Sequence, residues 1–215
     1  PLAQAFFKNS HSVIGPGATM HLPDIPATVF EGEAEIALVI GKTATRVPVE
    51  AASEYIFGYL NFVDGSARGL ATGMGLSYFM KGQDDFAPLG PWITTADEIT
   101  DPMNLQVQQW NNGKLTQDYN TSDMAHNIAE SLAFVSSNTT LEAGDVIALG
   151  TNHQGLHPLQ DGDVVEQETQ FLGRLAFQVS DKGGRTWSRQ TRAEWQKSGQ
   201  KGGHAVQLSG KQVNQ

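Results

Sequence analysis

Cysteine is absent from the 215 residues. Its absence excludes disulfides, thiolate zinc sites and cysteine nucleophiles, and it fits a cytoplasmic protein, the expected localisation. No apolar run approaches the ~18 residues a membrane-spanning helix needs, so no membrane association is expected. No basic stretch followed by an apolar one opens the chain, so no signal peptide is expected. The first residue is Pro rather than Met, and an N-terminal part of the natural protein is expected to be missing. Positive charge is scarce, with 14 Lys and Arg against 23 Asp and Glu and a net charge of −9. Its distribution is uneven. Residues 181–215 hold seven Lys/Arg against two acids, and the first 180 hold seven against 21. Such an acidic body does not suit nucleic acid, and it makes each cation inside it worth inspecting, above all Lys81 and Arg68. No G-x-S-x-G elbow, Walker loop or dinucleotide fingerprint occurs. The histidines are scattered. His153 and His157 are four apart, but Gly155 and Pro158 oppose a helix there, and no histidine is taken as a ligand.

What is present is sufficient for a packed core. Hydrophobic residues make up 39% and aromatics 8%, and the length suits one domain or one domain with a tail. The organising stretch is Phe30 to Gly41, FEGEAEIALVIG. Ile36 to Ile40 is an apolar run closed by Gly41, the pattern of a buried strand. Ahead of it Glu31, Glu33 and Glu35 alternate, so on a strand they share one face, roughly 7 Å apart. Such carboxylates repel one another unless a cation or water separates them. A divalent metal is one reading and a solvated strand end the other.

The rest of the chain reads as mostly β. Residues 1–29 are expected to form one or two strands between tight turns. VEAASEYIFGY looks helical, and YLNFVD looks like a strand ending at Asp64. GSARGLATGMGLSYFM and GQDDFAPLGP read as loops around Lys81. Asn112-Gly113 marks a hairpin. Ser122 to Ser136 carries apolar residues at Met124, Ile128, Leu132 and Val135, which predicts a helix with Ser122 as its N-cap. Two strands within VVEQETQFLGRLAFQVS close the fold, and from Asp181 the chain reads as a polar, basic appendage or partly ordered arm. About eight strands and two helices, without regular βαβ alternation, predict a mostly β, α+β domain, a sandwich or a rolled sheet.

Glu33, Glu35 and Asp64 offer only oxygen ligands, which suits Mg²⁺, Mn²⁺ or Ca²⁺. Asp64 before Gly65 can equally be a turn residue. Lys81 can pair with Asp84 or Asp85 at the surface, or meet a substrate carboxylate or a developing enolate. Gly150-Thr151, after the strand DVIAL, can offer N–H and hydroxyl donors or be a plain turn.

Six pieces in one order resemble the fumarylacetoacetate hydrolase family. They are Glu33–Glu35 with VIG at 39–41, YIFGY at 55–59, DGSAR at 64–68, KGQDDFAPLGP at 81–91, NGKLTQDYNTSDM at 112–124 and GDVIALGT at 144–151. The match runs from about residue 5 to residue 180, which divides the chain into a catalytic domain (1–180) and a C-terminal tail (181–215), as in smaller bacterial-type members. The resemblance implies a mixed β-sandwich roll, a homodimer, and a divalent metal held by Glu33, Glu35 and Asp64. It implies that Lys81 is catalytic and substrate-facing, with Thr151 and Arg68 contacting substrate, and that Glu31 is not a ligand. The implied reaction is hydrolysis of a C–C bond in a 2,4-diketo acid or acylpyruvate-like substrate through a metal-bound enolate. Alternatives are a lyase or isomerase of a 2-keto acid, and a metal-binding member without catalysis. Two departures stand out. Relatives follow S-A-R with Asp, and two positions later with Gln, where this chain has Gly69 and Ala71. The family's His/Glu acid–base pair lies upstream of the point matching Phe6–Lys8, so it is expected outside this sequence.

Overall fold

Two short strands, β1 (Val13–Ile14) and β2 (Thr19–His21), lead into the long antiparallel pair β3 (Val29–Ile40) and β4 (Ile56–Arg68). The computed structural model describes residues 3–70, 76–199 and 205–212. Every residue of β3 is buried, which is why its apolar half runs unbroken instead of alternating. Its pairing with β4 spans Val29↔Arg68 to Ile40↔Ile56. β4 therefore does not stop at Asp64, as expected, but continues through Gly65, Ser66, Ala67 and Arg68. Gly65 reads as a turn residue, yet here it makes room for a core ring. A Cβ at that position would lie 2.7 Å from Cγ of the buried Phe86. At Gly69, where the resemblance expects Asp, φ is 71° and a Cβ would run into the side chain of Thr28. Both features favour glycine. Ala71, the other departure, lies outside the described residues.

Two more expectations around β4 need correction. The helical look of VEAASEYIFGY resolves into a 3₁₀ turn, Val49–Tyr55, with β4 starting at Ile56. Within the expected loop before Lys81, a helix, α1 (Leu76–Lys81), carries Lys81 as its last residue. The expected loop after it gives way to β5 (Ala87–Thr95).

Next come β6 (Gln106–Asn111) and β7 (Lys114–Asn120), joined at Asn112-Gly113 with φ of 51° and 77°. Positive φ at both central residues is what a tight two-residue hairpin demands. Helix α2 (Ile128–Asn138) starts later than Ser122, because Asn127 and Glu130 form a capping box. Ser122 lies instead in a 3₁₀ turn, Thr121–Asp123. The remaining elements are β8 (Val146–Ala148), β9 (Val164–Thr169), β10 (Arg174–Ser180), β11 (Thr186–Trp187), α3 (Arg192–Lys197) and β12 (Gln207–Ser209).

The order β1-β5-β4-β3-β8 makes one five-stranded sheet and β2-β10-β9-β6-β7 the other, with β11-β12 as a separate ribbon. Both large sheets are mixed, since β1 runs parallel to β5 and β2 to β10. The fold is thus mostly β with a few helices. The main core includes Phe30, Val63, Phe86, Val165, Leu175 and Phe177, residues of both sheets and their connections. A second cluster joins Ile36, Leu38 and Ile40 to Ile128 and Leu132 of α2.

β8 pairs with β3 only at Ala37 to Val39, so further back along β3 the backbone needs other partners. The second sheet supplies them through three buried glutamines and the half-buried Tyr119. Gln109 donates to Gly32 O (3.1 Å), Gln117 accepts from Ala34 N (3.0 Å), and Tyr119 donates to Ala34 O (2.6 Å). Gln167 adds a bond to Glu35 O (2.7 Å). These contacts fix the stretch that carries the three glutamates.

The segment after residue 180, expected as an appendage, packs onto the body. Trp187 is 2% exposed and belongs to the main core. Its ring meets Phe30 edge-on at 6.0 Å, and its indole donates to Thr28 O at 2.8 Å.

Candidate metal centre and active site

Strand alternation puts Glu31, Glu33 and Glu35 on one face of β3, and the register sets Asp64 opposite Glu33 and Ser66 opposite Glu31. One oxygen each from Glu33, Glu35 and Asp64 lies within 4.8 Å of the other two. The three residues are 5%, 4% and 3% exposed.

Cations from three directions close on this group. Lys81, delivered by the end of α1, places Nζ 2.9 Å from Glu33 Oε2, 2.5 Å from Asp64 Oδ2 and 2.5 Å from Ser66 Oγ. Lys8 lies 2.6 Å from Asp64 Oδ1 and also donates to Lys81 O and Phe86 O. Arg68 donates through Nε to Glu31 (3.1 Å) and through Nη2 to Glu33. Glu35 is met differently, by the backbone N–H of Gly150 at 2.7 Å.

The electrostatics separate the carboxylates. Burial pushes Glu33 up, but Lys81 and Arg68 outweigh it and hold its carboxyl below the ordinary value. Burial, then the charges of Asp64 and Glu33, push Glu35 well above the carboxylate range. Burial also raises Asp64, against the pull of Lys8 and Lys81, and burial lowers Lys8. A divalent cation relieves this crowding. The donor set is oxygen only, buried and convergent, and so fits Mg²⁺, Mn²⁺ or Ca²⁺. Glu33, Glu35 and Asp64 would hold the ion.

The sequence-derived candidates thus come together: Glu33, Glu35, Asp64, Lys81 and Arg68 form one cluster. Thr151 sits beside it, following the Gly150 that binds Glu35, and its hydroxyl accepts from the buried Gln117 at 2.8 Å. Glu31 faces Arg68 and Arg192 and lies outside the metal-ligand group. His153, not taken as a ligand, lies 3.8 Å from Glu33 with its ring 62% exposed. Three contributors were missed. Lys8 is a lone cation in an acidic body, the signal that singled out Lys81 and Arg68. Ser66 shares a strand face with Asp64, which becomes visible once β4 runs past that residue. Arg192 carries no such sign, since it sits in the stretch read as a basic tail.

The chain is similar to several known proteins. A maleylpyruvate hydrolase of Aquipseudomonas alcaligenes is 37% identical over 174 residues, 81% of this chain and 58% of the relative. Among solved structures, the 5-carboxymethyl-2-hydroxymuconate delta-isomerase of Mycobacterium smegmatis superposes with a TM-score of 0.77 at 37% identity, over 83% of this chain and 69% of that one. The maleylpyruvate hydrolase of Sphingobium sp. SYK-6, in complex with a manganese(II) ion and pyruvate, gives 0.76 at 37% identity, over 83% of this chain and 65% of that one. The chain therefore spans about three fifths to two thirds of the length of these relatives. The model of the fumarylacetoacetate (FAA) hydrolase C-terminal family matches residues 1–180, and the chain belongs to that family.

Proposed function

We propose that this chain is the metal-binding catalytic unit of a hydrolase that cleaves a C–C bond in a 2,4-diketo acid or acylpyruvate-like substrate. The observation that carries the reading is the buried Glu33–Glu35–Asp64 triad with the Lys81 ammonium inserted among its oxygens. The similarity to two maleylpyruvate hydrolases, one solved with manganese and pyruvate, supports it. Mg²⁺ or Mn²⁺ is the proposed cofactor, with Ca²⁺ as a third candidate. When bound, the cation supplies Lewis acidity to the oxygens of a 2-oxo acid.

The chain's own residues do the rest. Lys81 holds a positive charge in a site that is nearly closed to water, where it meets negative charge developing on a substrate oxygen. Arg68, pinned by Glu31, presents its guanidinium to a substrate carboxylate. Thr151, oriented by Gln117, offers a hydroxyl beside Glu35. The exposed rings of Phe57, Trp92 and Phe171 and the Ile93 side chain lie on or beside β4 and β5, and they support a homodimer.

Isomerisation of a 2-keto acid is the second reading, supported by the similarity to the delta-isomerase. A panel of 2-oxo and 2,4-diketo acids with Mg²⁺ or Mn²⁺, followed by NMR, separates the two. Water added across a broken C–C bond supports the hydrolase. Products that keep every C–C bond overturn it in favour of the isomerase.

A further inference from the structure

The family match ends at residue 180, yet three arginines beyond it, at 185, 189 and 192, each bind a buried carboxylate. Arg185 is 2% exposed, bonds Asp181 (2.7 Å) and Pro23 O (3.0 Å), and lies over the Phe30 ring at 4.6 Å. Arg189 grips the buried Asp163 with both terminal nitrogens, at 3.0 and 2.7 Å. These two are anchors. Arg192 reaches the site itself. Its Nε lies 2.9 Å from Glu31 Oε1 and its Nη2 2.5 Å from Glu31 Oε2, the two-point grip of a guanidinium on a carboxylate.

Position and backbone reinforce that grip. Arg192 opens α3, whose Thr191–Glu194 capping box fixes the helix start. Its own N–H donates to Leu156 O at 2.9 Å, which ties the helix to the loop that follows Thr151 and His153. Lys114 on β7 binds Glu194 at 2.9 Å from the other side.

Glu31 is 1% exposed and bonds Arg68 and Arg192 together. Arg68 is thereby held at two corners, by Glu31 through Nε and by Glu33 through Nη2. We propose that Arg192 is a positioning residue that acts through Glu31 to keep Arg68 against Glu33, beside the metal-ligand carboxylates. The segment after residue 180 is then one wall of the site and sets its affinity for a carboxylate-bearing ligand. Without Arg192, the buried Glu31 loses its two-point partner, and Arg68, already 3.1 Å away, turns toward it. That movement gives up the Arg68 contact to Glu33 but leaves the three ligand carboxylates where β3 and β4 place them. This inference rests on the metal-dependent 2-oxo acid reading above.

The test uses the whole chain, calorimetry and two probes, Mn²⁺ alone and then pyruvate added to the Mn²⁺-loaded protein. Arg192→Met is expected to keep Mn²⁺ affinity within about twofold and to weaken pyruvate about tenfold, the scale of one charge-assisted contact. In a Glu31→Gln background the same substitution is expected to add less than about a twofold further loss, since residues acting through one partner are not additive. Arg192→Lys, which keeps the charge without the fork, is expected to fall between wild type and Arg192→Met, and it carries the test if Arg192→Met does not fold. Unchanged pyruvate binding in Arg192→Met, or in Arg192→Lys where that variant carries the test, overturns the positioning role and leaves the metal reading standing. Full additivity of the Glu31 and Arg192 changes overturns the route through Glu31. Absence of Mn²⁺ binding in the wild-type protein overturns the functional reading and this inference with it.

Discussion

Glu35→Gln should reverse the order of stability between metal-free and metal-loaded protein. In the metal-free protein Glu35 shares a dry pocket with Glu33 and Asp64, each offering an oxygen within 4.8 Å of the others. Two unit charges at that distance repel by roughly 3 kcal/mol at an effective dielectric constant of about 20. Lys81 offsets part of this, and a glutamine carbonyl can still accept the Gly150 N–H. The net gain from neutralising position 35 is then about 1–2 kcal/mol, or roughly 2–8 °C in Tm for a chain of this size. The sign follows from linkage. A carboxyl raised in the folded state means that the folded protein binds more protons than the unfolded one. Stability is therefore lost as pH rises from the ordinary value of 4.5 toward the raised one. Near pH 5 the variant and wild type should melt together, and at pH 8 in EDTA the variant should melt higher. Adding Mn²⁺ at about a hundred times its Kd should stabilise wild type by about 2.7 kcal/mol. The variant, short of one ligand, should gain little and become the less stable of the two. Scanning calorimetry at both pH values, with EDTA and with Mn²⁺, measures all four quantities. A variant that melts lower than wild type at pH 8 in EDTA refutes the crowding argument. One that gains as much as wild type from Mn²⁺ refutes Glu35 as a ligand.

Other substitutions probe the remaining parts of the assembly. Lys81→Met removes the ammonium shared by Glu33 and Asp64 and should cost the metal-free protein about 3–5 kcal/mol in urea unfolding, because buried charges are left uncompensated. Saturating Mn²⁺ should recover much of that loss. Gly65→Ala forces a methyl against Phe86, with Cγ 2.7 Å and the Phe86 Cα 3.0 Å from it. The cost should be about 1–3 kcal/mol of overpacking, and Mn²⁺ titration should show weaker binding because the adjacent Asp64 moves with the strand. Trp187→Ala should cost about 3–5 kcal/mol if the C-terminal segment is part of the core, as the packing on Phe30 shows. A change below about 0.5 kcal/mol is the signature of a surface appendage, and a urea midpoint distinguishes the two.

The parts of this molecule that were legible in the sequence are those written in local periodicity. Alternation at Glu31, Glu33 and Glu35 placed three carboxylates on one face, and the apolar run after them fixed a buried strand. Asn112-Gly113 gave the hairpin because positive φ at both positions is a local demand. What could not be read depended on partners far along the chain. Gly65-Ser66-Ala67-Arg68 has the composition of a turn, but it is a strand because Val29 to Gly32 lies beside it and Phe86 fills the space the glycine leaves. Ser122 looked like a helix cap, but Asn127 offered both halves of a capping box with Glu130 and won the start of α2.

The C-terminal arginines show the same limit in electrostatic form. A charge in a sequence is read as solvated, because burying it alone costs several kcal/mol. That inference fails when a buried carboxylate waits elsewhere in the fold. Asp163 waits for Arg189 across 26 residues and Glu31 for Arg192 across 161. From the other end of the pair, however, the signal was present. Of the three glutamates on one buried strand face, the resemblance leaves Glu31 outside the metal-ligand set, and it lies outside that group in the fold. The surplus carboxylate, Glu31, had to find a cation, and an acidic body of 180 residues holds few. The basic excess after residue 180 is where charge balance directs the search. The uneven distribution of charge thus records a pairing between the end of the chain and the site near its beginning.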